Sequence, residues 1–152
     1  MRPSCFLRRA ENVGADAVVP LDDVDVTTLA DRMKAAADGP VDIVIDPLFG
    51  VPAAAALRTL RSNGRLVNLG SSAGETAAFD SATLRSGTLD VLGYTNNDLT
   101  VDQRADAIGV IAEYVRVGRL TLDYETVPLA AIREAWSRQA DGRAGRRIVV
   151  IP

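Results

Sequence analysis

A chain of 152 residues has room for one domain with a hydrophobic core. Its 47% hydrophobic and 24% charged residues are typical of a globular protein, and a net charge of −3 argues against binding to a phosphate backbone. No apolar run approaches the roughly 20 residues needed to cross a bilayer. We therefore expect no membrane span and no nucleic-acid partner.

The absence of histidine and the presence of a single cysteine exclude several kinds of site. A Ser-His-Asp triad, a Cys-His pair, and zinc sites that use histidine or several thiolates cannot be built from this sequence. The lone thiol, Cys5, cannot form an internal disulfide, and the start of the chain lacks the features of a secretory signal. These features predict a cytoplasmic protein with no zinc in this chain.

The first third of the chain is predicted to alternate between helix and strand. The end of a helix over residues 8–13 precedes a short strand over 15–20. A helix follows an acidic loop, and its apolar positions are Val26, Leu29, Met33 and Ala36. Residues 41–46 form an almost continuous apolar run, which is typical of a parallel strand covered on both faces.

The middle and end of the chain continue this alternation. An alanine-rich helix with Pro52 in its first turn is predicted to end at Asn63-Gly64. Thr100 and Gln103 have capping-box spacing, so a helix is predicted after them and stops at Gly118. A last helix is expected over residues 129–140, and the remaining strands are predicted over residues 65–70, 88–94, 124–127 and 147–151.

Strands that alternate with helices favour a mostly parallel sheet, in which ligands bind beyond the carboxyl ends of the strands. The segments at those ends are 46–50, 70–74 and 93–96, each with glycine or small polar residues. No Walker or G-x-G-x-x-G motif is present, and Gly70-Ser-Ser-Ala-Gly74 is equally well explained as a flexible exit from a strand. Asp46 is either functional or a turn residue before Pro47, and the turn is slightly favoured.

Five segments, in their order and spacing, resemble the medium-chain dehydrogenase/reductase family. The nearest branches are zinc-type alcohol dehydrogenase-like proteins and quinone oxidoreductases. The segments are Val41–Asp46, Gly64–Gly74, Val91–Tyr94, Glu125–Trp136 and Gly142–Pro152. The resemblance implies an α/β fold, namely an incomplete Rossmann-type, doubly wound, mostly parallel sheet that lacks its first two strands. Residues 1–152 would then be a partial dinucleotide-binding domain, whose last strand, about 146–152, returns to a missing GroES-like catalytic domain.

The resemblance also implies a function and a site. The chain would be the C-terminal cofactor-binding portion of an oxidoreductase that uses NAD or NADP for hydride transfer with an alcohol, carbonyl or quinone. A small-molecule substrate requires the missing domain, and no catalytic or metal-binding residue of the family has a matching position here. The residues implied to border the cofactor are Asp46, Pro47, Leu48, Phe49, Leu69, Gly70, Ser71, Ser72, Gly93, Tyr94 and Thr95.

Two consequences of the resemblance concern the chain as a whole. The strand around Leu89–Tyr94 corresponds to the usual dimer edge, so a homodimer through it is expected. A chain without the phosphate-binding glycine loop is alternatively a catalytically silent Rossmann remnant that acts by dimerisation or weak nucleotide binding. On this resemblance the chain is predicted to be a truncated form of a longer enzyme.

Overall fold

Strands and helices alternate in the computed structural model, which describes residues 10–21 and 25–152. Besides a helical segment at residues 10–12, the α-helices are α1 (Val26–Ala36), α2 (Gly50–Leu57), α3 (Ser81–Gly87), α4 (Val101–Arg116) and α5 (Ile132–Ala140). The strands are β1 (Val41–Asp46), β2 (Leu60–Asn68), β3 (Asp90–Gly93), β4 (Tyr124–Pro128) and β5 (Arg147–Ile151). Short 3₁₀ turns occupy Asn96–Asp98 and Leu129–Ala131. The chain divides into two compact units, residues 1–97 and 98–152.

The first unit is built on a parallel sheet in the order β1-β2-β3. Val44 of β1 lies beside Leu66 of β2, which in turn lies beside Val91 of β3. Because parallel neighbours need a crossover, α2 and α3 connect the successive strands. The predicted α/β architecture with parallel strands is therefore confirmed.

One face of this sheet carries the core. Leu66 is fully buried and packs with Ala53 and Leu57 of α2, while Phe49 and Phe79 close the same cluster. Full burial of a leucine side chain contributes about 1.5–3 kcal/mol to stability. Because side chains alternate along a strand, Ile45 points to the other face, where it is 61% exposed. Strand β1 is therefore covered on only one face in the described part of the chain, whereas the sequence predicted that both of its faces would be covered.

Helix α1 follows its predicted pattern closely. The carboxylate of Asp25 caps it by accepting hydrogen bonds from the N–H groups of Thr27 and Thr28, at 2.9 and 3.0 Å. Leu29 is buried on its inner face, against Ala55 of α2. Asp25 therefore serves the N-terminus of α1. The neighbouring residues 22–24 lie outside the described residues.

Three element boundaries differ from the predictions. Residues 15–20 form no strand, and α2 ends at Leu57 instead of at Asn63-Gly64. Asn63 does adopt the left-handed conformation, with φ of 61°, but it does so inside β2, where the pairing with β1 is irregular. Left-handed geometry suits a bulge as well as a helix end, so the same residues gave the wrong element. Helix α3, capped by Asp80, was not predicted from the sequence.

Further boundaries shift by a few residues. The strand predicted over 65–70 ends at Asn68, and the strand predicted over 88–94 is shortened to Asp90–Gly93. The helix predicted over 8–13 ends at residue 12. Residues 8 and 9 lie outside the described part of the chain.

The second unit contains the parallel pair β4-β5 and the helices α4 and α5. The capping box predicted for α4 is present, because Gln103 N–H donates to Thr100 Oγ1 and Thr100 N–H donates to Gln103 Oε1. The helix ends at Arg116, and Gly118 follows in a left-handed conformation. Within residues 10–21 and 25–152, no helix is long and apolar enough to span a bilayer.

Candidate functional site

The carboxyl ends of β1, β2 and β3 meet at one edge of the first sheet. The Leu69 N–H donates to the Asp46 carbonyl at 2.8 Å, and the Tyr94 N–H donates to the Asn68 carbonyl at 2.9 Å. The segments 46–49, 69–72 and 93–95, which contain all the predicted cofactor-site residues, are thus neighbours. Their contact with a cofactor remains a prediction.

Asp46 is a buried acid at the end of β1, with only 4% of its surface exposed. Its Oδ1 atom accepts hydrogen bonds from the N–H groups of Leu48 and Phe49, at 3.0 and 2.9 Å. The Asn68 side chain donates to its Oδ2 atom at 3.0 Å. The carboxylate therefore has the role of a turn residue before Pro47, the alternative slightly favoured from the sequence.

Asn68, at the end of β2, is the residue of this edge that the sequence reasoning missed. Its Nδ2 atom donates to Asp46 Oδ2 and, at 2.7 Å, to the Gly70 carbonyl. The signal in the sequence was a lone amide inside the apolar run Leu66-Val67-Asn68-Leu69. A polar side chain in such a position needs a buried partner, so this signal could have pointed to the pair.

Phe49 adopts a strained backbone at the turn that follows β1. Its φ of 57° and ψ of −162° are rare for a residue with a side chain, and such strain costs about 1–3 kcal/mol. The Phe49 ring is anchored edge-on against Phe79, with ring centroids 6.0 Å apart. The ring packing and the hydrogen bond to Asp46 together hold this conformation.

The segment Gly70-Ser-Ser-Ala-Gly74 packs tightly against the turn after β1. A Cβ atom on Gly70 would stand 2.7 Å from the Pro47 carbonyl oxygen, closer than any such contact allows. The Ala73 N–H also donates to the Leu48 carbonyl at 2.8 Å. The segment is therefore hydrogen-bonded in place, which disfavours its interpretation as a flexible exit from the strand.

This edge also offers surface to a ligand. Leu69 and Tyr94 are about half exposed, at 45% and 51%. The N–H groups of Gly70, Ser71 and Thr95 have no acceptor among the residues that the structure describes. Apolar side chains beside free amide donors suit a flat ring that carries a polar amide group.

Other candidate chemistry finds less support. Ser71 Oγ donates to Glu75 Oε1 at 2.9 Å and has no histidine to activate it. Arg143 and Arg146, a basic pair near the C-terminus, form ion pairs with Asp141 and Asp123, which offset their charge. In the described part of the chain, no three carboxylate, cysteine or histidine side chains gather so as to hold a metal ion.

A cavity of about 440 Å³ opens away from these strand ends. Leu60 and Leu89, which line it, stand at the start of β2 and just before β3. Lys34, Arg58 and Asp80 add charge to its wall, and Arg58 pairs with Asp80 at 3.4 Å. Ligands of open parallel sheets bind beyond the carboxyl ends of the strands. The carboxyl ends of β1, β2 and β3 therefore remain the candidate site, and this cavity lies at the other ends of the strands.

Comparison with known protein families identifies one match that covers most of the chain. The family described as zinc-binding dehydrogenase matches residues 13–150. A search of curated protein sequences finds no match. The family match agrees with the resemblance inferred from the sequence.

Solved structures share the fold over the whole chain. A mycobacterial quinone oxidoreductase matches with a TM-score of 0.86 at 18% identity, over 100% of this chain and 47% of its own. A mycobacterial protein complexed with NADPH matches with a TM-score of 0.80 at 17% identity, over 100% of this chain and 47% of its own. The alcohol dehydrogenase of the archaeon Aeropyrum pernix matches with a TM-score of 0.71 at 20% identity, over 100% of this chain and 41% of its own. The chain thus spans less than half of each structure, and the Rossmann-type α/β fold class is confirmed.

Proposed function

This chain belongs to the zinc-binding dehydrogenase family, and we propose that it forms the nicotinamide side of the cofactor-binding domain of an NAD(P)-dependent oxidoreductase. The observation that carries this proposal is the edge of the first sheet, where three strand ends are joined by hydrogen bonds and three backbone N–H groups have no acceptor among the described residues. A rigid edge of this kind suits ligand binding because little ordering is lost when the ligand arrives.

The residues of this edge fit a nicotinamide ring. Leu69 and Tyr94 would flank it with apolar surface, and the free N–H groups of Gly70, Ser71 and Thr95 would bond its carboxamide oxygen or the ribose. When bound, a nicotinamide cofactor supplies or accepts a hydride. The similarity to a protein complexed with NADPH supports a cofactor of this class, NAD or NADP.

The described residues do not fit a zinc site, because no three carboxylate, cysteine or histidine side chains gather among them. We propose that substrate chemistry on an alcohol, carbonyl or quinone uses residues outside 1–152, because no catalytic residue of the family has a matching position in this sequence. We accordingly expect no turnover of simple aldehydes or quinones by residues 1–152 with added NADH or NADPH, as measured by cofactor absorbance.

Titration of the chain with NADH and with NADPH, followed by cofactor fluorescence, tests the proposal. We expect saturable binding of at least one of them. Ser72→Glu adds a negative charge at the exposed edge and should weaken binding of these anionic cofactors. Ser86→Glu is the matched control, because it places the same charge on α3, in the wall of the cavity at the other end of the strands.

Failure of both cofactors to bind at millimolar concentration would contradict the proposal. Equal weakening by the two glutamate variants would show instead that binding depends on net charge and not on this edge. Binding that only Ser72→Glu weakens would support it.

The exposed side chains of β3 favour a second candidate role, a homodimer through Leu89–Tyr94. Val91 and Leu92 are 39% and 45% exposed on a strand that pairs only with β2 in the described residues. An unpaired strand of this kind is a template for pairing with another chain. Sedimentation equilibrium should show a dimer that Leu92→Lys dissociates, and a monomeric wild-type chain would remove this candidate.

A further inference from the structure

We infer that Asn68 is a positioning residue, which together with buried Asp46 holds the three segments of the candidate edge in one arrangement. This inference rests on the proposed function, since the edge would hold the cofactor. Neither side chain needs to touch the cofactor for this role.

The bonds of Asn68 reach all three segments. Its side-chain amide donates to Asp46 Oδ2 in the first segment and to the Gly70 carbonyl in the second, at 3.0 and 2.7 Å. Its backbone carbonyl accepts a hydrogen bond from the Tyr94 N–H of the third segment at 2.9 Å. One residue thus connects the ends of β1, β2 and β3.

Asp46 continues the connection into the strained turn. Its Oδ1 atom accepts hydrogen bonds from the Leu48 and Phe49 N–H groups, while its Oδ2 atom accepts one from the Asn68 side chain. Hydrogen bonds to a charged acceptor are stronger than neutral ones, and these three compensate a carboxylate that is almost fully buried. The strain at Phe49 is therefore held by the same carboxylate that Asn68 orients.

The chemistry of this position favours a carboxamide over other side chains. Asp46 Oδ2 and the Gly70 carbonyl are both acceptors, so the group between them must donate twice from one atom. The NH₂ group of asparagine does this, whereas an aspartate side chain has only acceptors and an alanine side chain has no hydrogen-bonding group. Exchanging the amide for a carboxylate would set like charges against each other in a partly buried place.

The test uses three variants of the full chain and measures the affinity for whichever of NADH or NADPH binds. Asn68→Asp should bind about tenfold more weakly, the loss expected when a buried charged hydrogen bond is removed. The double variant with Asp46→Asn restores one donor between the two side chains, so it should recover part of the affinity. Asn63→Asp, an exposed site near the other end of β2, should bind like wild type.

Amide hydrogen exchange gives a readout that does not depend on any cofactor. In Asn68→Asp the Leu69, Ala73 and Tyr94 N–H groups should exchange faster, while core amides of β2 keep their protection. Uniform loss of protection, unchanged exchange at those three amides, or no recovery in the double variant would each overturn the inference.

The outcomes separate the inference from the function on which it rests. If wild type binds neither cofactor, the proposed function fails, and the exchange pattern still decides whether Asn68 holds the segments together. If Asn68→Asp does not fold, the double variant decides: a folded double variant supports the pair, and an unfolded one contradicts it.

Discussion

The two units of the chain differ in how they bury apolar side chains. In residues 25–97 the sheet and α1–α3 enclose Leu29, Leu57 and Leu66, all almost inaccessible to solvent. In residues 98–152, Ala135 is the only buried hydrophobic residue, while Ile108 and Trp136 are 64% and 73% exposed. The first unit thus has a core of its own, and the second consists of elements with almost none.

This difference shows which forces form each unit. Helix α4 carries strong local signals, namely the capping box at Thr100 and the ion pair between Glu113 and Arg116, at 2.7 Å. Such signals specify a helix without tertiary contacts, although isolated helices of this length are only marginally stable. The candidate site lies in the first unit, because its strand ends need a packed core to hold them fixed.

Truncating the core is the largest test of this contrast. Leu66→Ala should lower the free energy of unfolding by about 2–5 kcal/mol, because it leaves a cavity between α2 and β2. Ile108→Ala, the matched change on α4, should stay within about 0.5 kcal/mol of wild type, because the side chain is mostly exposed. Urea unfolding monitored by circular dichroism measures both. Comparable losses from the two variants would show that the second unit also depends on a core.

The glycines of the candidate edge provide a smaller test within the first unit. Gly70→Ala should cost about 1–3 kcal/mol and weaken cofactor binding, because its Cβ would overlap the Pro47 carbonyl oxygen. Gly93→Ala, on the same edge, faces open space and should be tolerated in the same unfolding experiment. If Gly70→Ala is as stable as Gly93→Ala, the close contact between the two segments does not hold the edge together.

The sequence predicted elements best where their signals are local. The capping box gave α4, and the β-branched run 41–46 gave β1, because each signal lies within the element itself. It failed where one residue type suits two structures: Asn63 has the left-handed geometry of a helix end but lies in a bulge of β2. The short helix α3 was missed because its main signal is one capping residue, Asp80.

The segments of the candidate site could be named from the sequence, but the contact that joins them could not. Parallel topology alone places the ends of β1, β2 and β3 side by side, so the candidate segments could be named from the sequence. The link between Asp46 and Asn68 spans 22 residues and exists only once β1 and β2 are in register. No local pattern records such a partner, because the pair forms only through the tertiary fold.

The smallest test compares one carboxylate from each unit. Hydrogen bonds from the Thr83 side chain and backbone hold the pKa of Asp80 below its usual value, and an ion pair with Arg116 lowers the pKa of Glu113. Each group with a lowered pKa stabilises the fold above its unfolded-state pKa, and this contribution is lost as the pH falls through its folded-state pKa. Asp80→Asn keeps a capping side chain but cannot titrate, so its stability should approach that of wild type as the pH falls below about 4.

Salt distinguishes the two carboxylates in this experiment. Glu113→Gln should lose its small effect in about 1 M salt, where charges are screened within roughly 3 Å, because its benefit is an exposed ion pair. Asp80→Asn should keep most of its effect at neutral pH, because Asp80 acts through short hydrogen bonds at the start of α3. Unfolding midpoints measured from pH 3 to 7 at low and high salt check both. Equal salt sensitivity would show that Asp80 acts mainly through its ion pair with Arg58, and the capping explanation would be wrong.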